Sequence, residues 1–98
     1  MGDYAVYAAI TCGRPVADST LESVSRQLRP DDEQMCVYVD EYDANVLWIS
    51  SDVRAPDLST ALTQGRSLAE EAVRLSDVPM HIHEVSAMDD EFVDEWRP

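Results

Sequence analysis

Between residues 3 and 12 the chain alternates two sets of positions: Tyr4, Val6, Ala8, Ile10 and Cys12 against Ala5, Tyr7, Ala9 and Thr11. Both sets are largely apolar, which predicts a central strand with neither face fully wetted. Gly13 and Pro15 break that run. Over residues 19–28 the period changes. Leu21, Val24 and Leu28 recur at i, i+3 and i+7, the narrow stripe of an amphipathic helix. Ser19 is placed to cap it, with Glu22 completing a capping box, and Arg26 and Arg29 suit its last turn before Pro30 stops it.

After the polar residues 31–34, the run MCVYVD, the turn EYDAN and the run VLWISSDV (residues 46–53) predict two strands joined as an antiparallel hairpin. Placing Tyr38 opposite Trp48 puts Met35, Val37 and Val39 on one face with Leu47 and Ile49. Cys36, Tyr38, Val46 and Trp48 then share the other, and a slip of one residue would scramble both. Pro56 and Asp57 open a second helix whose apolar face runs from Leu58 through Ala61, Leu62, Gly65, Leu68, Ala69 and Ala72 to Val73. Glycine costs about 1 kcal/mol against alanine in a helix, so Gly65 in mid-face predicts close packing of this helix on the sheet. Ser76, Asp77 and Pro79 end it.

A last strand is expected over residues 80–87. Met80 and Ile82 would face one way, and His81, His83, Val85 and Ala87 the other. In residues 88–98, MDDEFVDEWRP, Asp89 is placed to cap a short helix carrying Phe92, Val93 and Trp96 on one side. Two turns are not stable alone, so such a helix would need a surface to dock on.

The predicted order is β-α-β-β-α-β. That predicts an α+β, ferredoxin-like fold: a four-stranded antiparallel sheet with two helices on one face, over residues 1–88, and a short C-terminal helix over 89–98. The uncovered face would hold Ala5, Tyr7, Ala9, Tyr38, Val46, Trp48, His81, His83 and Val85. A face so rich in apolar and aromatic side chains predicts an interaction surface.

Composition narrows the functions. Ninety-eight residues suit one domain, and the 45% apolar content is ordinary for a folded chain. No apolar run is long enough to span a membrane, and the first residues lack the order of a secretion signal, so a cytoplasmic location is expected. Cys12 and Cys36 are then expected as free buried thiols, with no zinc-ligand spacing. Twenty acids face seven arginines and no lysine, a net charge of −13. That field repels nucleic acid and anionic lipid, so direct binding to either is not expected. The open-face aromatics echo the stacking platform of RNA-recognition motifs, but the basic charge such binding uses is missing.

No motif for a nucleotide, cofactor or catalytic constellation stands out. His81 and His83 do not complete a metal site, and a base beside Cys12 is not supplied by the sequence. The expectation is a non-enzymatic protein–protein interaction domain that dimerises with a second copy, or docks on another protein partner, through the open sheet face. Tyr7, Tyr38, Trp48, His81, His83, Phe92 and Trp96 would be its contact residues. Two alternatives stand beside it. One is an acidic mimic of nucleic acid that inhibits a basic protein through clusters such as Asp31-Asp32-Glu33, Asp40-Glu41-Asp43 and Asp89-Asp90-Glu91. The other is a small-molecule binder using the sheet face and the two histidines, which requires a pocket.

The stretches DYAVYAAITCGRPVADSTLESVSRQL and VSAMDDEFVDEW resemble a set of small, acidic, uncharacterised ferredoxin-like proteins of high-GC bacteria and their phages. The resemblance implies a βαββαβ core followed by a short helix opened by acids and an aromatic. Some members of the set continue into a helix-turn-helix. This chain stops at Pro98, so no DNA-reading role carries over, and the resemblance implies no catalytic residues.

Overall fold

The computed structural model describes residues 2–28, 35–76 and 78–98. Its elements are β1 (Gly2–Cys12), α1 (Asp18–Leu28), β2 (Cys36–Val39), β3 (Val46–Ala55), α2 (Leu58–Leu75), β4 (Met80–Met88) and β5 (Val93–Trp96). The strands form one antiparallel sheet in the order β2-β3-β1-β4-β5. The first six elements make the ferredoxin-like βαββαβ arrangement, and β5 adds a fifth strand at its edge. The expected roles of Arg29, Pro30, residues 31–34 and Asp77 lie outside the described residues.

The hairpin adopts the expected register, with Tyr38 opposite Trp48, Val37 opposite Ile49 and Val39 opposite Leu47. β1 continues the layer by setting Ala8 against Ile49 and Ile10 against Leu47. One face of the sheet thus gathers Val6, Ala8, Ile10, Leu47 and Ile49, all buried, and α1 and α2 cover it through Val24, Leu28, Ala61, Leu68, Ala69 and Ala72.

Asp57 caps α2 from an extended backbone, its Oδ1 accepting the Thr60 N–H at 2.7 Å. In mid-helix, a Cβ on Gly65 would lie 3.0 Å from Val85 Cγ1 and 3.3 Å from Val6 Cβ. The helix therefore rides so close to the sheet that a side chain at that position would fit only if Val85 and Val6 gave way. The helix α1 begins at Asp18, one residue before the expected cap Ser19, so Ser19 lies inside its first turn.

Two expectations are corrected. The first concerns the phase of β4. Ile10 pairs with Ile82 but Ala9 pairs with Glu84, so His83 is an extra residue, a β-bulge. Beyond it the alternation inverts: Val85 and Ala87, expected on the open face, are fully buried under α2, and Glu84, Ser86 and Met88 take the open side. The second concerns the C-terminus, which forms β5 and no helix. Asp89 does accept the N–H groups of Glu91 and Phe92, at 2.8 and 2.7 Å, as a helix cap would. Here these bonds, with Asp89 N–H donating to the Phe92 carbonyl at 3.0 Å, close a turn. The edge of β4 offers residues 93–96 a hydrogen-bonding partner that two isolated helical turns lack.

Candidate functional site

The residues expected to form one contact surface are divided by the sheet. Tyr38 and Trp48 are cross-strand partners, and Trp48 neighbours Ala9 on β1. Tyr7 lies on the same face between Ser50 and Ser86. His81, opposite Thr11, and His83, at the bulge, are exposed towards the other end of that face. Phe92 is 63% exposed in the turn before β5. Trp96 is on the opposite side: it pairs with Val85, and the Arg66 guanidinium of α2 lies 4.0 Å from its ring centroid, a cation–π contact. Arg97 ties the same strand to Glu84 at 3.1 Å. The C-terminal segment therefore widens the helix-covered layer and does not cover the open face.

Trp48 is fixed by the turn that follows β2. Its Nε1–H donates to Asp40 Oδ1 at 2.8 Å, and Asp40 Oδ2 accepts the N–H groups of Tyr42 and Asp43 at 2.9 and 3.0 Å. The Trp48 bond, then those backbone bonds, hold the Asp40 carboxyl below the usual aspartate range. A carboxyl with a lowered folded-state pKa contributes stability that is present above its unfolded value, about 3.9, and is lost as pH falls through the lower folded value. Wild type is therefore expected to melt above Asp40→Asn at pH 7, with the gap narrowing below about pH 4. Melts followed by tryptophan fluorescence at pH 7 and pH 3 check this, and an equal gap at both would remove the carboxylate from the account.

The two cysteines are free. Cys36 is exposed on the open face, whereas Cys12 is buried on the helix side, so only one matches the expectation of buried thiols. Burial pushes the Cys12 thiol up from its ordinary value. Cys12 pairs with Met80 and Thr11 with His81, which places the thiol and that imidazole on opposite faces of the sheet. Among the described residues, no three His, Cys, Asp or Glu side chains are grouped to hold a metal ion, and no helix is long and apolar enough to cross a membrane.

A ligand-sized space lies at the end of the sheet where β1 runs out. Cys12 N–H donates to the Asn45 carbonyl at 2.7 Å and Val16 N–H to the Ala44 carbonyl at 2.8 Å, which stitches the β1–α1 loop to the β2–β3 turn. Ser76 Oγ accepts the Val78 N–H at 3.1 Å and donates to the Val78 carbonyl at 3.0 Å, holding the segment that leads into β4. Between these anchored segments is a cleft of about 700 Å³. Cys12, Gly13 and Arg14 line it from β1 and its loop, followed by Pro15, Val16 and Ala17. Ser19 and Thr20 of α1 and the pair Val78-Pro79 complete the wall.

The volume falls in the range of small-molecule sites, about 300–1,000 Å³, and the wall mixes apolar surface with a few polar groups in the manner of such sites. A second hollow of about 430 Å³ at the other end of the sheet is bordered by Asp3, Asp52, Asp89 and Asp90. Its carboxylates repel one another, and Asp89 is already committed to its turn.

Sequence reasoning singled out Cys12 for its chemistry, without a base beside it, and read Gly13 and Pro15 only as a break in the strand. It missed Ser19, Thr20, Val78 and Pro79 as lining residues. The Gly-Arg-Pro break was a signal for a loop. Nothing local links that loop to Val78 and Pro79, which chain folding brings to it.

No family model matches the chain, and no curated protein matches it. A solved structure from Chloroflexus aurantiacus J-10-fl, described as a "putative Antibiotic biosynthesis monooxygenase", is 14% identical with a TM-score of 0.47, over 99% of this chain and 93% of that one. The expectation of a non-enzymatic interaction domain docking through the open face is corrected. The surface expected for docking is not formed in the expected way. Val85 is inside, Trp96 is on the helix side, and the ligand-sized cleft lies away from that face.

Proposed function

We propose that this protein binds a small organic molecule in the cleft between the Gly13–Ala17 loop, the first turn of α1 and Val78-Pro79. The observation that carries the reading is the cleft itself: about 700 Å³, bounded on one side by a loop that hydrogen bonds pin to the β2–β3 turn and on the other by Val78, held by Ser76. Pinned walls matter because a pre-formed site loses less conformational entropy when a ligand arrives. This is the small-molecule alternative drawn from the sequence, moved from the sheet face to the end of β1. Cys12, kept as a neutral thiol with His81 across the sheet, supports binding and not an activated nucleophile there.

The test is a titration of ¹⁵N-labelled protein with a set of acidic, neutral and basic fragments, followed by amide shifts. Saturable shifts are expected at residues 13–20 (Pro15 lacks an amide proton) and at Val78, with Tyr42, 91% exposed in the β2–β3 turn, unmoved. Ala17 is exposed and lines the cleft, so Ala17→Trp fills the space without entering the core. That variant is expected to lose the shifts while melting within about 2 °C of wild type, since surface changes of this kind are usually within ±0.5 kcal/mol. Fragments that bind Ala17→Trp as well as wild type would overturn the assignment of the cleft.

A further inference from the structure

We propose that Asp40 is a positioning residue for the cleft although it does not line it. Its carboxylate shapes the β2–β3 turn that holds the Gly13–Ala17 loop, so occupancy of the cleft is transmitted to the Trp48 indole. This coupling rests on the binding role proposed for the cleft.

The chain of contacts is continuous. On the cleft side, Cys12 and Val16 line the wall, and their N–H groups donate to the carbonyls of Asn45 and Ala44 at 2.7 and 2.8 Å. Asn45 Nδ2 adds a longer bond to the Cys12 carbonyl, 3.4 Å. Gly13, Arg14 and Pro15 span the stretch between the two braced residues, so the place of the loop follows the place of the two turn carbonyls. On the turn side, carboxylates set those carbonyls. Asp43 Oδ1 accepts the Asn45 N–H at 2.9 Å, and the Asp43 carbonyl accepts the Val46 N–H at 3.0 Å. Asp43 is itself located by Asp40, whose Oδ2 accepts the Tyr42 and Asp43 N–H groups at 2.9 and 3.0 Å. The other oxygen of Asp40 accepts Trp48 Nε1–H at 2.8 Å. Asp40, Asp43 and Trp48 are not lining residues.

This junction needs a carboxylate. Three donors converge on one side chain, and each oxygen of an ionised aspartate accepts. An amide has one acceptor oxygen and an NH₂ that only donates, so Asp40→Asn can serve the turn or the indole but not both. Turning its NH₂ to Trp48 sets donor against donor and displaces either the ring or the turn. Coupling is reciprocal: if the turn sets the loop that a ligand contacts, the ligand biases the turn and its bond to Trp48.

The test uses the whole chain at pH 7 with benzoate, benzamide and benzylamine as probes, the tightest wild-type binder being carried into the variants. Saturation is expected to shift the amides of residues 13–20 and, with the same midpoint, the Trp48 Nε1–H resonance. The Trp96 Nε1–H resonance, from the ring beside Arg66, is expected to stay in place. Asp40→Asn is expected to weaken the probe at least about five-fold. Trp48→Phe removes the competing donor, so adding it to Asp40→Asn is expected to recover most of that loss, a rescue that a general weakening of the fold does not give. Val6 is buried in a separate apolar cluster with Ala61 and Leu68, so Val6→Ala lowers the melting temperature without touching the turn. It is expected to leave the affinity within about two-fold of wild type.

If the probe shifts residues 13–20 but binds Asp40→Asn as tightly as wild type, or leaves Trp48 Nε1–H unmoved, the cleft stands as a site and the role given to Asp40 is wrong. Equal weakening by Val6→Ala and Asp40→Asn, or no rescue by Trp48→Phe, also overturns that role. Should no probe move those amides in a protein that melts normally, the binding role of the cleft falls, and this proposal with it.

Discussion

Gly65→Val is expected to lower the melting temperature by at least about 10 °C. Two opposing effects decide the sign. Any side chain relieves the helix of glycine's backbone entropy, a gain of up to about 1 kcal/mol. Against it, the first added carbon would sit 3.0 Å from Val85 Cγ1 and 3.3 Å from Val6 Cβ. Neither neighbour has much freedom. Val85 is fully buried and Val6 nearly so, both are β-branched with restricted χ1, and both belong to paired strands. Overpacking of this kind costs about 1–3 kcal/mol for modest insertions, and valine adds two methyl groups beyond the first clash. A net loss of about 2–3 kcal/mol corresponds to roughly 10–20 °C in a domain of this size.

The specific cause is checked by a double-mutant cycle. Val85→Ala alone leaves a cavity, yet combined with Gly65→Ala it is expected to cost less than the two single changes added together, because the new methyl enters the space the valine vacates. Strict additivity, or a Gly65→Val protein that melts like wild type, would show that the helix and sheet are not in this close contact.

Leu47→Ala should remove about 3–5 kcal/mol, a large part of the 5–15 kcal/mol that holds a typical domain together. Leu47 is wholly buried on β3, flanked by Val39 on β2 and Ile10 on β1, and those strands constrain how far its site can collapse. Tyr42→Ala removes a larger side chain only a few residues away. Tyr42 is 91% exposed, so that change is expected to stay within about ±0.5 kcal/mol. Urea unfolding of the two variants checks the contrast, and similar losses in both would contradict the placement of the hairpin.

Several features of the fold were legible because local chemistry and global packing agree on them. The hairpin register follows from sorting Val37, Val39, Leu47 and Ile49 to one face, and the structure pairs them that way. Gly65 in an apolar helix face implied close approach to the sheet, which the Val6 and Val85 contacts supply. The capped start of α2 at Asp57 follows from hydrogen bonding within a few residues. The cleft was not legible. Its two sides, Gly13–Thr20 and Val78-Pro79, have no shared motif, and their meeting depends on β1 and β4 being neighbours in the sheet.

The alternation of apolar and polar residues by itself determined the βαββαβ order, the faces of β1, β2 and β3, and the buried stripe of α2, because those patterns depend on neighbours a few residues apart. Only the tertiary structure decided the phase of β4 beyond His83. Counting by twos carries no sign that a bulge has inserted one residue, and burying Val85 and Ala87 beneath α2 is what favours the bulged pairing. It also decided between helix and strand at the C-terminus. Phe92 and Trp96 share a side in either period over so short a segment, and Val93 joins them only in a helix. The open edge of β4 and the Arg66 guanidinium over Trp96 supply stabilisation that residues 93–96 cannot supply for themselves.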